Sequence, residues 1–329
     1  SNTPQECAFI LSDSGTRFVF AESDEQVAKL QQVRSEIPKV EKVIVFQGTA
    51  SQDEWVITLE QLSQKGRGQF LSRSFEDVTK DVTKDKLATL IYTSGTTGNP
   101  KGVELLHDCW LYESEGIAAL NLLRHDDLQY LWLPLAHSFG KVLQMAQLRI
   151  GFATAVDGRP DKLVDNLAVI KPTFVAAVPR IFEKIYAKMV GGAKEAGGLR
   201  LKIFNWAMKV GQQVSRLQQD GKRPGLLLSM KHFLASKLVF SKLQTLFGGR
   251  LRFFVSGSAP LSGSLNEFFH AAGVMIYEGY GLTETSAASF VNFPGHNRIG
   301  TVGPALPGTE VKLAPGDSEI LIKGRGVMR

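Results

Sequence analysis

Apolar and polar positions along this chain alternate between two periods. Near the N-terminus the run RFVFA (Arg17 to Ala21) gives way to the helix-periodic SDEQVAKLQQV and then to the β-branched run VEKVIVFQG (Val40 to Gly48). Short apolar or alternating runs bounded by turn residues specify strands, whereas apolar residues three and four apart specify a helix. Strand, helix and strand in that order predict a βαβ unit with parallel pairing. From Gln64 to Lys86 the chain turns polar and charged and reads as a connection. LATLIYTS (Leu87 to Ser94) then forms a short apolar strand that runs straight into glycine.

Further on, LQYLWLPL (Leu128 to Leu135) and TFVAAV (Thr173 to Val178) have the length of buried strands. The helical pattern DKLVDNLAVI between them must stop before Pro172, because proline disfavours a helical residue ahead of it. The stretch from Pro179 to Phe247 is helical in pattern, with breaks expected at Gly191-Gly192, Gly197-Gly198 and Arg223-Pro224-Gly225. RLRFFVSG (Arg250 to Gly257) and VMIYEGYG (Val274 to Gly281) return to strand, and Ser264-Leu265-Asn266-Glu267 predicts a capping box for the helix EFFHAAG between them. After Pro294 a glycine- and proline-rich alternation ending in VKLAPGDSEILIKG predicts short antiparallel strands.

Composition narrows the class. With 329 residues, 43% hydrophobic and 21% charged, the chain has the make-up of a globular protein and enough apolar residues to fill a sizeable core, in about two domains. It is neither fibrous nor disordered in composition. No uncharged apolar run reaches the roughly 18–20 residues of a spanning helix, and no basic region precedes an apolar stretch at the N-terminus, so neither membrane insertion nor secretion is expected. Cys7 and Cys109 are the only cysteines, which excludes a disulfide framework or a cysteine zinc cluster and points to a reducing cytoplasm. The net charge of +6 is unevenly spread: Arg180 to Arg250 holds 14 basic and 3 acidic residues, leaving the rest of the chain net negative. A local basic field attracts nucleic acid, anionic lipid or a phosphorylated small molecule, or is simply a solvated helical face.

Three segments carry chemistry. Tyr92-Thr93-Ser94-Gly95-Thr96-Thr97-Gly98-Asn99-Pro100-Lys101-Gly102 concentrates glycines, hydroxyls and one lysine after an apolar strand. Glycines let backbone N–H groups close around phosphate oxygens, hydroxyls add donors, and Lys101 adds a charge-assisted one. No Gly-Lys-Ser/Thr tripeptide occurs there, so it is not a Walker A loop. A plain surface turn is the competing reading. In the second segment, Tyr277-Glu278-Gly279-Tyr280-Gly281-Leu282-Thr283-Glu284-Thr285, an aromatic ring can stack on a base, a hydroxyl can hold a phosphate, and a carboxylate can take Mg²⁺. Glu284 also suits the N-terminal turn of a helix on dipole grounds alone. The third, Gly257-Ser258-Ala259-Pro260-Leu261, is a tight turn whose lack of bulk suits a flat ring lying on backbone.

With these segments in this order, the chain resembles the adenylate-forming superfamily of acyl-CoA synthetases, luciferases and peptide-synthetase adenylation domains. YTSGTTGNPKG matches its phosphate loop, GSAPL its adenine loop and YEGYGLTET its Tyr-Gly-x-Thr-Glu motif. VPRIFEKIY (Val178 to Tyr186), the long basic helical insertion and LFGGRLRFFVSGSAPL are similar to the long-chain fatty acyl-CoA synthetases. PLAHSFG (Pro134 to Gly140) matches the family's histidine-bearing segment and implies that His137 lies beside an acyl carboxylate. His107, His125, His232, His270 and His296 are expected to be structural or at the surface.

The resemblance implies an α/β fold: parallel sheets flanked by helices in an AMP-binding core over residues 1–293, with the basic helical insertion at 180–247. The start of a β-barrel-like subdomain is implied at 294–329. It also implies a fragment, because the family's ribose-binding aspartate and its C-terminal lid domain with a lysine are not in the sequence, and such a fragment would be nearly inactive alone. The implied reaction activates a long-chain fatty acid with ATP through an acyl-adenylate to its coenzyme A thioester, with Mg²⁺. Thr93, Ser94, Gly95, Thr96, Thr97, Gly98 and Lys101 would hold the β- and γ-phosphates, Thr283 the α-phosphate and Glu284 the Mg²⁺. Tyr280, with Gly281 beside it, and Gly257, Ser258, Ala259 and Pro260 would hold the adenine.

Phe139, Met145, Phe182, Phe204 and Trp206 either line an acyl tunnel or fill the core, and most are expected in the core. Two alternatives stand beside the ligase: an acyl-AMP ligase feeding a carrier protein, and a non-catalytic acyl- or nucleotide-binding module. Nucleic acid is disfavoured, since the basic stretch is not interleaved with stacking aromatics. Leu226, Leu227, Met230, Phe233, Leu234, Leu238 and Phe240 lie among Lys231, Lys237 and Lys242, as in interfacial helices, and predict peripheral contact with an anionic membrane; a buried helix with a solvated edge is the competing reading.

Overall fold

The computed structural model describes residues 2–67, 74–94 and 98–329. Two compact units divide the chain, Ser1–His107 with Arg329, and Asp108–Met328.

In the first unit the predicted βαβ pattern is borne out. Helix α1 (Pro4–Asp13) starts with a capping box in which Thr3 Oγ1 accepts from the Glu6 N–H and the Glu6 carboxylate accepts from the Thr3 N–H. Strand β1 (Phe18–Ser23), helix α2 (Asp24–Gln32), and strands β2 (Lys42–Gln47) and β3 (Val56–Thr58) follow, and the strands form a parallel sheet in the order β1-β2-β3. Strand side chains alternate between faces, so Ala21, Val43 and Val45 join Val27, Leu30 and Val33 in the core while Phe18 and Phe20 face outward.

The polar connection contains helices α3 (Leu59–Arg67) and α4 (Phe75–Thr79). Strand β4 (Leu87–Thr93) is present as expected, but its partner β5 (Lys101–Leu106) was not anticipated. The two pair antiparallel, and the glycine-rich segment is their hairpin connection. KGVELL is half-exposed and mixed in polarity, which hides a strand from a pattern search.

The second unit begins with α5 (His107–Ala119), β6 (Leu128–Leu131), α6 (Ser138–Ile150), β7 (Ala153–Val156), α7 (Leu163–Ile170) and β8 (Phe174–Ala177). Helices α8 (Pro179–Ala196), α9 (Gly198–Gln219) and α10 (Leu226–Ala235) come next, and one π-helical turn (Ser236–Phe240) leads into α11 (Ser241–Leu246). Strand β9 (Phe253–Ser256), helix α12 (Gly263–Ala271), strand β10 (Ile276–Tyr280) and strand β11 (Phe290–Val291) complete the sheet. Its order is β11-β10-β9-β8-β6-β7, parallel except for β11 at the edge. The final strands β12 (Glu310–Leu313) and β13 (Ile320–Lys323) pair antiparallel, as the sequence beyond Pro294 predicts.

Every residue of β8 is buried, which is why its sequence is a continuous apolar run rather than an alternating one. Phe182 of α8 and Phe269 of α12 pack edge-on against each other, and Phe182 also meets Phe254 of β9 at 5.2 Å between ring centroids. At the opposite ends of the strands Asp127 is buried. Its carboxylate accepts from Thr173 Oγ1 (2.6 Å), the Arg124 N–H (2.8 Å) and Arg252 Nε (3.1 Å), and so fastens the entries to β6, β8 and β9.

Two local expectations are corrected. Helix α8 passes straight through Gly191-Gly192. Each interior glycine costs only about 1 kcal/mol relative to alanine, so a glycine pair by itself does not have to end a helix. The breaks at Gly197-Gly198, both at positive φ, and at Arg223-Pro224-Gly225 do occur. Ser264 does not cap α12, which starts one residue earlier after Ser262; the Ser264 hydroxyl lies 2.8 Å from that of Ser262 instead.

Candidate functional site

The glycine-rich loop of the first unit is pinned at both stems. Thr93 ends β4, Lys101 begins β5, and their Cα atoms are register partners. One step down the ladder Tyr92 opposes Gly102, and a Cβ at Gly102 would sit 3.1 Å from the Tyr92 ring. The Tyr92 hydroxyl donates to Asp13 Oδ2 at 2.6 Å, and burial together with that carboxylate pushes the phenol up to about 12. Ser94, Gly98 and Lys101 are exposed, and Gly98 has a φ of 116°, which favours glycine. Gly95, Thr96 and Thr97 lie outside the described residues.

In the second unit, the C-terminal ends of β9 and β10 lie side by side, the edge where open α/β sheets bind ligands. Gly257 follows β9, and a Cβ there would press on the Phe139 ring at 3.3 Å. Ser258 takes a positive φ of 68° to turn the chain away through the exposed Ala259 and Pro260. The base of this turn is held by Glu278 of β10. That buried carboxylate accepts from the Leu261 N–H (3.3 Å) and from Asn266 Nδ2 of α12 (3.1 Å).

After β10, Gly281 is required by a close approach: a Cβ there would lie 1.5 Å from the Ala287 carbonyl oxygen. The loop between them contains one 3₁₀ turn, Thr283–Thr285, closed by the Leu282 N–H donating to Thr285 Oγ1 at 3.0 Å. It is tied down on three sides. The Ser286 hydroxyl donates to the Gly326 carbonyl (2.6 Å), the Met328 N–H to the Glu284 carbonyl (2.8 Å), and the Ala288 N–H to Glu113 Oε2 (3.2 Å). Glu113 of α5 is fully buried, its other oxygen has no partner among the described residues, and burial pushes its carboxyl well above the usual range. Thr283 and Glu284 are partly exposed on this loop.

A cavity of about 100 Å³ opens between α5, α6 and the sheet. It is largely apolar, lined by residues such as Leu120, Val142 and Val291 together with Gly257, Ser258, Tyr280 and Gly281. Of the residues named in the three signature segments, those four and Gly279 line it, and so does Phe139. His137 sits immediately before Ser138 and Phe139, exposed at the N-terminus of α6, and its N–H donates to the Pro134 carbonyl at 3.1 Å. Ala259, Pro260, Thr283 and Glu284 occupy the flanking turns without lining the cavity. Phe182 is buried in the core, while Met145, Phe204 and Trp206 are partly buried away from the cavity. His270, expected as structural, bonds Ser215 at 2.6 Å, and burial pushes its imidazole down.

Among the described residues no group of three or more histidine, cysteine, aspartate or glutamate side chains converges. The sequence did not single out Glu113, and it placed Glu278 in the second signature segment without a role of its own. Glu113 lies between the buried Tyr112 and Ser114 and Glu278 follows the buried Ile276 and Tyr277, but an acidic residue next to buried positions is a weak signal, since Asp108 and Glu115 of α5 share it.

The long-chain-fatty-acid--CoA ligase FadD15 of Mycobacterium tuberculosis is 34% identical to the chain over 330 residues, 98% of this chain and 53% of that protein. Long chain acyl-CoA synthetase 6, peroxisomal, of Arabidopsis thaliana is 33% identical over 320 residues, 94% of this chain and 43% of that protein. The chain thus spans about half the length of the curated relatives it matches. In fold it is similar to the anthranilate CoA ligase AuaEII, solved in complex with anthranoyl-AMP, with a TM-score of 0.65 and 21% identity over 99% of this chain and 54% of that one. The N-terminal domain of FACL13 from Mycobacterium tuberculosis matches with a TM-score of 0.66 and 18% identity over 100% of this chain and 69% of that one. The profile of the AMP-binding enzyme family matches residues 1–329, so the chain belongs to that family.

Proposed function

We propose that this chain supplies the adenylating machinery of a long-chain fatty acid–CoA ligase. The observation that carries the reading is the apolar cavity lined in part by the glycine turn after β9 and by Tyr280-Gly281 at the end of β10. It offers an apolar chain a dry wall and a nucleotide ring a flat backbone ledge at one strand edge. The names of the relatives at 33–34% identity support the long-chain acid as substrate.

In the proposed reaction a carboxylate oxygen of the fatty acid attacks the α-phosphorus of ATP, and the bond to the bridging oxygen breaks to release pyrophosphate. The sulfur of coenzyme A then attacks the acyl carbonyl and expels AMP. Attacking group and ATP are both anionic, so rate depends on charge neutralisation and alignment rather than on an enzyme nucleophile. Thr93, Ser94, Gly95, Thr96, Thr97, Gly98 and Lys101 hold the β- and γ-phosphates, Thr283 holds the α-phosphate, and His137 orients the acyl carboxylate. Tyr280 and Gly257 to Pro260 bracket the adenine. Mg²⁺ at Glu284 supplies positive charge to the phosphates when bound.

The test is pyrophosphate release by the intact natural protein with ATP and carboxylates of increasing length, followed by thioester formation with free coenzyme A. Release that rises with chain length and yields thioester supports the reading. Adenylate without thioester makes it an acyl-AMP ligase, and no release with any acid makes it a binding module.

A further inference from the structure

Helix α10 and the turn after it carry their apolar face outward. Leu226, Leu227, Met230, Phe233, Leu234 and Leu238 are all exposed, Leu226 to 81% and Phe233 to 62%. At 3.6 residues per turn the five on α10 fall within an arc of about 120°. The opposite side of the helix faces inward through the buried Ala235, and α10 packs on α9. Ala235, Val239, Phe240 and Leu243 are buried beneath this face, so Phe240, expected from the sequence among the outward apolar residues, is instead one of its anchors.

Charge completes the pattern. Between Asp220 and Glu267 the chain holds no acidic residue. Lys231 of α10 and Lys237 of the turn after it are exposed, as are Arg223 before the helix and Lys242 beyond it, while Lys222 pairs with Asp220 at 3.5 Å. Lys237 Nζ lies 4.9 Å from the centroid of the Phe233 ring, so a cation and an aromatic anchor share the same spot. A protein partner would need a complementary groove for one convex helix. An anionic bilayer needs none: its headgroups pair with the lysines while leucine and phenylalanine side chains enter the acyl boundary. Among the described residues no helix is long and apolar enough to cross a membrane, so attachment would be at the surface.

We propose that the outward face of α10 and its π-helical extension docks the protein on anionic lipid bilayers, independently of its adenylation chemistry.

The test is co-sedimentation of the intact natural protein with phosphatidylcholine vesicles with and without phosphatidylserine. Binding is expected only with phosphatidylserine and should fall as salt screens the lysines. Replacing Lys231 and Lys237 by glutamine should weaken it about twentyfold, from the contribution of each cation near an anionic surface. The pair Leu227→Ser and Phe233→Ser should weaken it at least as much. All four side chains are exposed, so unchanged circular dichroism and melting are expected and separate loss of docking from loss of fold. Absence of binding, or binding indifferent to phosphatidylserine and to both variants, overturns the proposal. So does self-association in sedimentation velocity that the Leu227→Ser and Phe233→Ser pair abolishes without any vesicle binding, since a second copy would then be the occupant.

Discussion

Thr93 and Lys101 stand opposite each other as the last Cα pair of the β4–β5 hairpin, so the lysine is held at the stem of the glycine-rich loop rather than on its tip. Eight residues apart in sequence, the two are neighbours because the strands pair antiparallel. A ladder position limits how far the lysine backbone can move and leaves the exposed side chain as the mobile part.

Lys101→Met should therefore lower ATP-dependent pyrophosphate release without unfolding the chain, since Lys101 is exposed. Loss of one charge-assisted contact is worth ~1.5–3 kcal/mol, a decrease of roughly tenfold to a hundredfold. Release assays at varied ATP check it; a wild-type rate would remove Lys101 from phosphate binding.

Glu284→Gln should slow adenylation while leaving circular dichroism unchanged. Losing an electrostatic contribution aimed at developing charge typically costs ~2.7–4 kcal/mol. The deficit should be largest when Mg²⁺ is limiting, and turnover equal to wild type under that condition would exclude a metal role for this carboxylate.

Gly281→Ala tests whether loop geometry matters apart from loop chemistry. The added Cβ would meet the Ala287 carbonyl at 1.5 Å, so the segment carrying Thr283 and Glu284 must shift. A displacement of about 1 Å near reacting groups can cost roughly a hundredfold in rate. Pyrophosphate release is expected to fall by that order, with the fold kept.

Glu113 makes stability depend on pH. Its carboxyl is pushed up by burial, so the folded chain keeps a proton that the unfolded chain releases. Its contribution is full below the usual glutamate range and is lost as pH rises towards the raised folded value. Glu113→Gln keeps an acceptor for the Ala288 N–H but cannot ionise. Urea unfolding at about pH 5 and about pH 8 should show the variant gaining on wild type at the higher pH. An equal difference at both pH values would mean that Glu113 is ionised in the fold.

Asp127→Ala should destabilise the second unit by about 3 kcal/mol, the lower end for breaking a buried pair, because Arg252 keeps 30% of its side chain in water. Urea unfolding followed by fluorescence measures it. A loss under about 1 kcal/mol would mean that the Thr173 and Arg124 contacts hold the strand entries without the ion pair.

Much of this was legible along the chain. β4, β8, β9 and β10 are short apolar runs closed by glycine, proline or a hydroxyl-rich turn, too short for a helix and bounded by turn residues, which is the pattern of a strand. The three signature segments were legible for the same reason, because a turn's glycines and hydroxyls are local requirements. What needed the tertiary structure were facts about direction and partnership. That β5 answers β4 depends on a pairing no local pattern encodes, and the Glu278 bonds to Leu261 and Asn266 join residues brought together only by the sheet. Helix α10 is the plainest case. Its residues specify that one face is apolar at helical period, yet burial is a property of the surroundings. Only the packing of α10 on α9 decides that the apolar face looks into solvent.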